Sequence, residues 1–155
     1  MPPMKLLLVC TLFAGVSASA FAADPDGFSM YKAADIKARA NAAKLDENKA
    51  GADRAGNWGN HSLLIVHRAG DGASENHLTQ VDVMTVVSGE GTLIVGGKIV
   101  DGKTTAPNEI RGKSIEGGAR HPMAVGDVFH IPAGVPHQML VPNDLIIQVV
   151  KVDTK

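Results

Sequence analysis

From His61 to the C-terminus, short apolar runs are separated throughout by turn-forming clusters, and that punctuation suits many short antiparallel strands better than a helical bundle. The clusters Gly70-Asp71-Gly72, Ser88-Gly89-Glu90-Gly91, Gly96-Gly97 and Asp101-Gly102 supply residues that accept positive φ, as tight connections between antiparallel strands require. Strands are predicted at His61–Arg68, Asn76–Leu78, Val81–Ser88, Thr92–Val95 and Lys98–Val100. They resume at Ala119–Met123, Val128–Ile131, Gln138–Val141 and Leu145–Val152. About nine short strands fit a sandwich or a jelly-roll barrel. With 17 glycines, 8 prolines and only 4% aromatic residues, composition agrees with an all-β class.

At 155 residues a single domain is expected. Acidic and basic residues nearly cancel at 16 against 15, so no long-range field exists to attract nucleic acid or an anionic membrane. Residues 1–22 read as a secretory signal: one charge at Lys5, an apolar run from Leu6 to Val16, and a small-residue close at Ala20-Phe21-Ala22. Cleavage is expected after Ala22, or alternatively after Ala20. The run is too short to span a bilayer, and Val9 before Cys10 does not suit a lipid-anchor site, so an exported protein without a stable membrane anchor is expected, periplasmic or secreted. Cys10 is the only cysteine and lies within that leader. The mature chain therefore has no disulfide and no thiolate, and any metal it binds must use nitrogen and oxygen ligands.

Residues 23–57 read as an N-terminal arm, with a short Ala-rich helix around Ala33–Lys44 and a flexible linker at Asp46–Asn57; residues 58–155 form the barrel. Trp58 and Tyr31 are expected to be packing contacts.

The segment Gly126-Asp127-Val128-Phe129-His130-Ile131-Pro132-Ala133-Gly134-Val135-Pro136-His137 is a strand, a Pro/Gly turn and the start of a second strand. It resembles the second motif of the cupin superfamily, G-x5-P-x-G-x2-H, at Gly126, Pro132, Gly134 and His137. The Asn often found four residues later in that family is Val141 here. The first cupin motif, H-x-H-x4-E-x6-G, aligns on Glu75, His77, Asp82 and Gly89, with Glu75 in place of the first His and Asp82 in place of the Glu. The resemblance spans about Asn60 to Val152. It implies a double-stranded β-helix, or jelly-roll, barrel with a short N-terminal helix, a divalent metal inside the barrel, and a homodimer.

The four ligand positions have a physical logic of their own. Residues 75 and 77 lie two apart on a strand, so their side chains share a face. Asp82 opens the next strand, and His137 opens one that a β-sandwich can bring opposite. Two imidazoles and two carboxylates suit Fe, Mn, Zn or Ni as divalent ions. Two readings stay open for Glu75, as a ligand or as a catalytic general base beside a metal held by His77, Asp82 and His137. A barrel that has lost its metal is a further alternative. His61, His67, His121 and His130 are read as structural histidines, and Arg68 and Arg120 as strand-end charges that would anchor an anionic substrate only if they reached the barrel mouth. Residues Asp101–Gly118 form either a lid or a tolerated insertion.

The function expected is that of an exported metal-binding cupin acting on a small oxygen-bearing molecule, with dioxygenase, isomerase and lyase chemistry unresolved. The alternative is a periplasmic cupin that binds a small molecule or metal without turnover. No nucleic-acid partner is expected.

Overall fold

The structure, a computed structural model, describes residues 23–154. The proposed leader, with Cys10, lies outside the described residues. Residues 23–30 and the chain from Tyr31 onward form separate units. In the first, the Phe28 N–H donates to the Pro25 carbonyl at 3.1 Å, closing a turn.

Among the described residues the second unit contains one helix and thirteen strands. Helix α1 is Ala33–Ala42. The strands are β1 (Ala50–Asn57), β2 (His61–Arg68), β3 (Ser74–His77), β4 (Gln80–Gly89), β5 (Gly91–Val95), β6 (Lys98–Val100) and β7 (Lys103–Ala106). They continue with β8 (Glu109–Gly112), β9 (Ser114–Glu116), β10 (Ala119–Met123), β11 (Val128–Ile131), β12 (His137–Leu140) and β13 (Leu145–Asp153). One sheet has the order β1-β2-β13-β4-β11 and the other β10-β5-β12-β3-β8-β7, with β6 and β9 as a separate ribbon.

The two sheets close on a shared core. Inward residues alternate along each strand, so Met84 and Val86 of β4 and Leu145, Ile147 and Val149 of β13 meet Leu93 of β5 and Met139 of β12. The outward face of the first sheet carries α1. Ile36 and Ala40, one helical turn apart, bury against Ile65 of β2 and Ile146 of β13, which is all the apolar stripe that this Ala-rich helix offers. An Arg39–Asp53 ion pair at 2.7 Å and a hydrogen bond from the Tyr31 hydroxyl to the Ala55 carbonyl at 2.6 Å tie the same region down.

Two expectations need correction. The stretch expected to be a flexible linker, Asp46–Asn57, contains β1, and the first sheet begins at Ala50 rather than at residue 58. Its sequence, AGADRAGN, has neither β-branched residues nor alternation. It is a strand because β2 presents a ladder of backbone partners, from Ala50↔Arg68 to Asn57↔Ser62 with one register shift between Arg54 and Gly56, and tertiary pairing overrides weak propensity. Trp58, at the turn that follows, stacks on the His61 ring with centroids 5.3 Å apart. Second, Asp101–Gly118 is not a loose insertion. It folds into β7, β8 and β9, and β8 pairs along the whole of β3. The helix ends at Ala42, two residues before the expected Lys44.

Candidate metal centre

Cross-strand register builds the site. His137 of β12 is paired with Glu75 of β3, while Glu75 and His77 face Arg111 and Glu109 on the other side, in β8. From the opposite sheet, Asp82 of β4 is paired with Lys151 of β13. Residues directly opposite on paired strands have neighbouring Cβ atoms, so each pair delivers two functional side chains to one place. Glu75 and His77 share a face because they are two apart, and both are buried, as are Asp82 and His137.

Glu75, His77 and His137 each bring one donor atom within 4.8 Å of the other two. The His137 Nε2 atom lies 3.6 Å from Glu75 Oε1 and 3.7 Å from Asp82 Oδ2, and the His77 Nε2 atom lies 3.3 Å from Asp82 Oδ2. The two imidazoles meet edge to face with centroids 5.3 Å apart. Asp82 thus reaches both rings. Both of its oxygens are also held by an ammonium, since Lys151 Nζ donates to them at 2.8 and 3.0 Å.

The outer nitrogens of the rings are engaged. The His137 Nδ1–H donates to the Val135 carbonyl at 3.1 Å, and His77 Nδ1 is bound by Glu109. The Nε2 atoms therefore turn inward. His137 Nε2 is fully buried and has no hydrogen-bond partner among the described residues, which is costly for a polar atom unless something else uses its lone pair. An orphaned imidazole nitrogen, a second imidazole oriented by a carboxylate and a buried carboxylate between them fit a divalent ion with nitrogen and oxygen ligands.

The charges are strongly coupled. Burial opposes the ionised form of Glu75, but His137, Arg111 and His77 outweigh it and hold the carboxyl far below its usual range. Of these contacts only Arg111, at 2.9 Å, is a hydrogen-bonded ion pair. Asp82 is likewise lowered against the effect of burial by His77 and Lys151, and Glu109 by His77 and Arg111. Burial also opposes charge on His77, yet the Asp82 and Glu109 carboxylates raise its pKa to about 9. Against this, Lys151 Nζ lies 2.8 Å from His77 Nε2, an approach that only an unprotonated nitrogen can accept. The Lys151 ammonium, a proton and a metal ion are thus three alternative occupants of one lone pair.

Beside the centre is a cavity of about 260 Å³. Leu64, Val66, Ile147 and Val149 form an apolar wall, and Arg68, Glu75, Arg111 and Lys151 form a charged end. Arg68, read from the sequence as a strand-end charge, is buried and lines this cavity, whereas Arg120 is exposed. His67 pairs with Asp144 at 2.6 Å, His61 contacts Asn60, and His121 and His130 are exposed, so these four histidines lie away from the centre.

Sequence reasoning assigned no role here to Glu109, Arg111 or Lys151. For Lys151 a signal existed: it continues the inward series Leu145, Ile147, Val149 on β13, so a cation was due at the end of an apolar face. Glu109 and Arg111 carried no such signal, because nothing local announces that β8 pairs with β3.

No family model matches the sequence, and no curated protein matches it. Solved structures do. A Klebsiella pneumoniae protein with a double-stranded β-helix domain superposes with a TM-score of 0.55 at 16% identity, over 85% of this chain and 93% of that one. A cupin 2 conserved barrel domain protein from Salinispora arenicola gives 0.50 at 21% identity, over 73% and 82%. A recombinant oxalate oxidase solved with glycolate gives 0.54 at 16% identity, over 86% of this chain and 63% of that one. At these identities the likeness is one of fold, a double-stranded β-helix barrel.

Proposed function

We propose that this chain, a cupin by its fold, is a metal-binding cupin that holds one divalent cation through Glu75, His77 and His137 and binds a small oxygen-bearing molecule beside it. The observation that carries this reading is the buried, partnerless His137 Nε2, turned toward Glu75 and Asp82. When bound, such an ion supplies Lewis acidity to an oxygen of the bound molecule. The chain's own residues do the rest. Glu109 orients His77, and the Val135 carbonyl orients His137. Glu75, kept ionised by its neighbours, is a poor proton acceptor, which favours its reading as a ligand over that as a general base. Asp82 and Lys151 form a hydrogen-bonded ion pair against the two rings.

Elemental analysis of protein purified without chelator or affinity tag tests this. Stoichiometric Fe, Mn, Zn or Ni is expected in the wild type and is lost in His77→Ala and His137→Ala. Wild-type protein that carries no ion and takes up none when ions are offered would overturn the reading. Lys151 supports a second reading, in which its ammonium balances the buried carboxylates and the barrel binds a small molecule without metal or turnover. The same measurement separates the two.

Export belongs to the proposal and rests on residues 1–22. N-terminal sequencing of the mature protein should begin at Ala23, or at Phe21 for the earlier cleavage. A homodimer, which sedimentation would register, is proposed on the resemblance alone.

A further inference from the structure

Among the described residues, Arg68 is the one cation of this cluster left without a close partner. Arg111 is engaged by Glu75 at 2.9 Å and by Glu109 at 2.7 Å, and Lys151 is engaged by Asp82. Arg68 approaches Glu75 no closer than 4.0 Å, and its Nε is buried with no hydrogen-bond partner. Asp46, which also lines the cavity, spends Oδ1 on the backbone N–H groups of Asn48 and Ala50 at 2.9 and 3.0 Å. Yet Arg68 is only 8% exposed. A guanidinium removed from water without a full set of acceptors is costly, and the cost is relieved when a ligand supplies them.

The setting favours an anion with an apolar tail. Arg68 follows Leu64 and Val66 on the inward face of β2, so the charge stands at the end of an apolar wall. Beside it on β1, Ala50 and Ala52, the register partners of Arg68 and Val66, are small and leave space. The guanidinium also rests against Gly72, where a Cβ would come within 2.7 Å of Nη1, so the side chain is seated rather than loose.

We propose that the cavity binds a short aliphatic carboxylic acid as its anion, and that Arg68 receives the carboxylate through its planar, bidentate fork. At about 30 Å³ per water-sized group, the 260 Å³ cavity takes roughly nine such groups, which admits an acid the size of pentanoate. This names the substrate class of the site proposed above and rests on the reading that a small molecule binds there, though not on the metal.

The probe pair is pentanoate and pentanamide, which match in shape and differ in charge. Each is titrated into the protein and followed by the methyl NMR signals of Val66 and Ile147, with and without added zinc. Pentanoate is expected to bind about tenfold more tightly than the amide, the size of effect typical of hydrogen bonds to a charged group. Arg68→Met should abolish that preference, and Gly72→Ala, which displaces the guanidinium, should reduce it. The dispersed methyl spectrum of each variant reports its fold. Equal affinity for acid and amide in the wild type, no binding of pentanoate, or an unchanged preference in a folded Arg68→Met protein would overturn the proposal. If zinc does not bind but the Arg68-dependent preference remains, the metal reading fails and this one stands.

Discussion

His77 and Glu109 are register partners across β3 and β8, and the Glu109 carboxylate holds the outer nitrogen of the imidazole whose inner nitrogen faces the candidate metal centre. The arrangement sets both the orientation and the tautomer of the ring. A carboxylate in this position also raises the basicity of the imidazole toward a metal.

Glu109→Gln keeps an acceptor for His77 but removes the charge. Divalent-metal affinity should weaken by about tenfold, toward the lower end of what the loss of such an outer partner costs. Competition with a zinc-chelating dye measures it. Unchanged affinity would mean that Glu109 does not tune the ring for a metal.

Lys151 competes for the same centre. Its ammonium stands 2.8 Å from His77 Nε2 and bonds both oxygens of Asp82. Lys151→Met removes the competitor and frees Asp82 as an additional ligand, so metal affinity should rise by about tenfold, equivalent to about 1.4 kcal/mol. The same dye assay reads the change, and weaker binding in the variant would count against competition.

The pH dependence has opposite signs with and without metal. The His77 pKa is raised from 6.5 to about 9. In metal-free protein the stabilisation linked to that shift is fully present below pH 6.5 and is lost as pH rises through about 9. Metal binding requires the unprotonated ring, so affinity should fall by about tenfold for each pH unit below 9, until other groups titrate. Urea melts of apoprotein and zinc titrations over the same pH series should show the two trends diverging. Parallel trends would exclude His77 as the titrating group.

Gly89, the glycine of the first motif, closes β4 with φ at +81°, and a Cβ there would fall 2.0 Å from the Asp144 carbonyl oxygen. The obstruction is backbone, which cannot move aside cheaply. Gly89→Ala should cost about 1–3 kcal/mol in urea unfolding. A loss within experimental error would show that the neighbouring turn yields.

Much of the barrel was legible because its information is local. Turn clusters set where strands stop, the spacing of Glu75 and His77 put both on one face, and the Gly126–His137 turn announced a strand opening on a histidine. Strand β1 was not legible, since AGADRAGN has no preference of its own and is extended only by virtue of β2 beside it. Strand β8 was hidden for a related reason, its pairing with β3 being a long-range choice of register.

By itself the sequence determined the periodicity of the strands, the positions of their turns and the kinds of donor atom available to a metal, because these depend on residues near one another in the chain. Only the tertiary structure decided the charge balance of the centre. Glu109 beside His77, Lys151 beside Asp82 and Arg68 at the end of the cavity are contacts between strands remote in sequence, and their strength comes from burial, a property no short segment possesses alone.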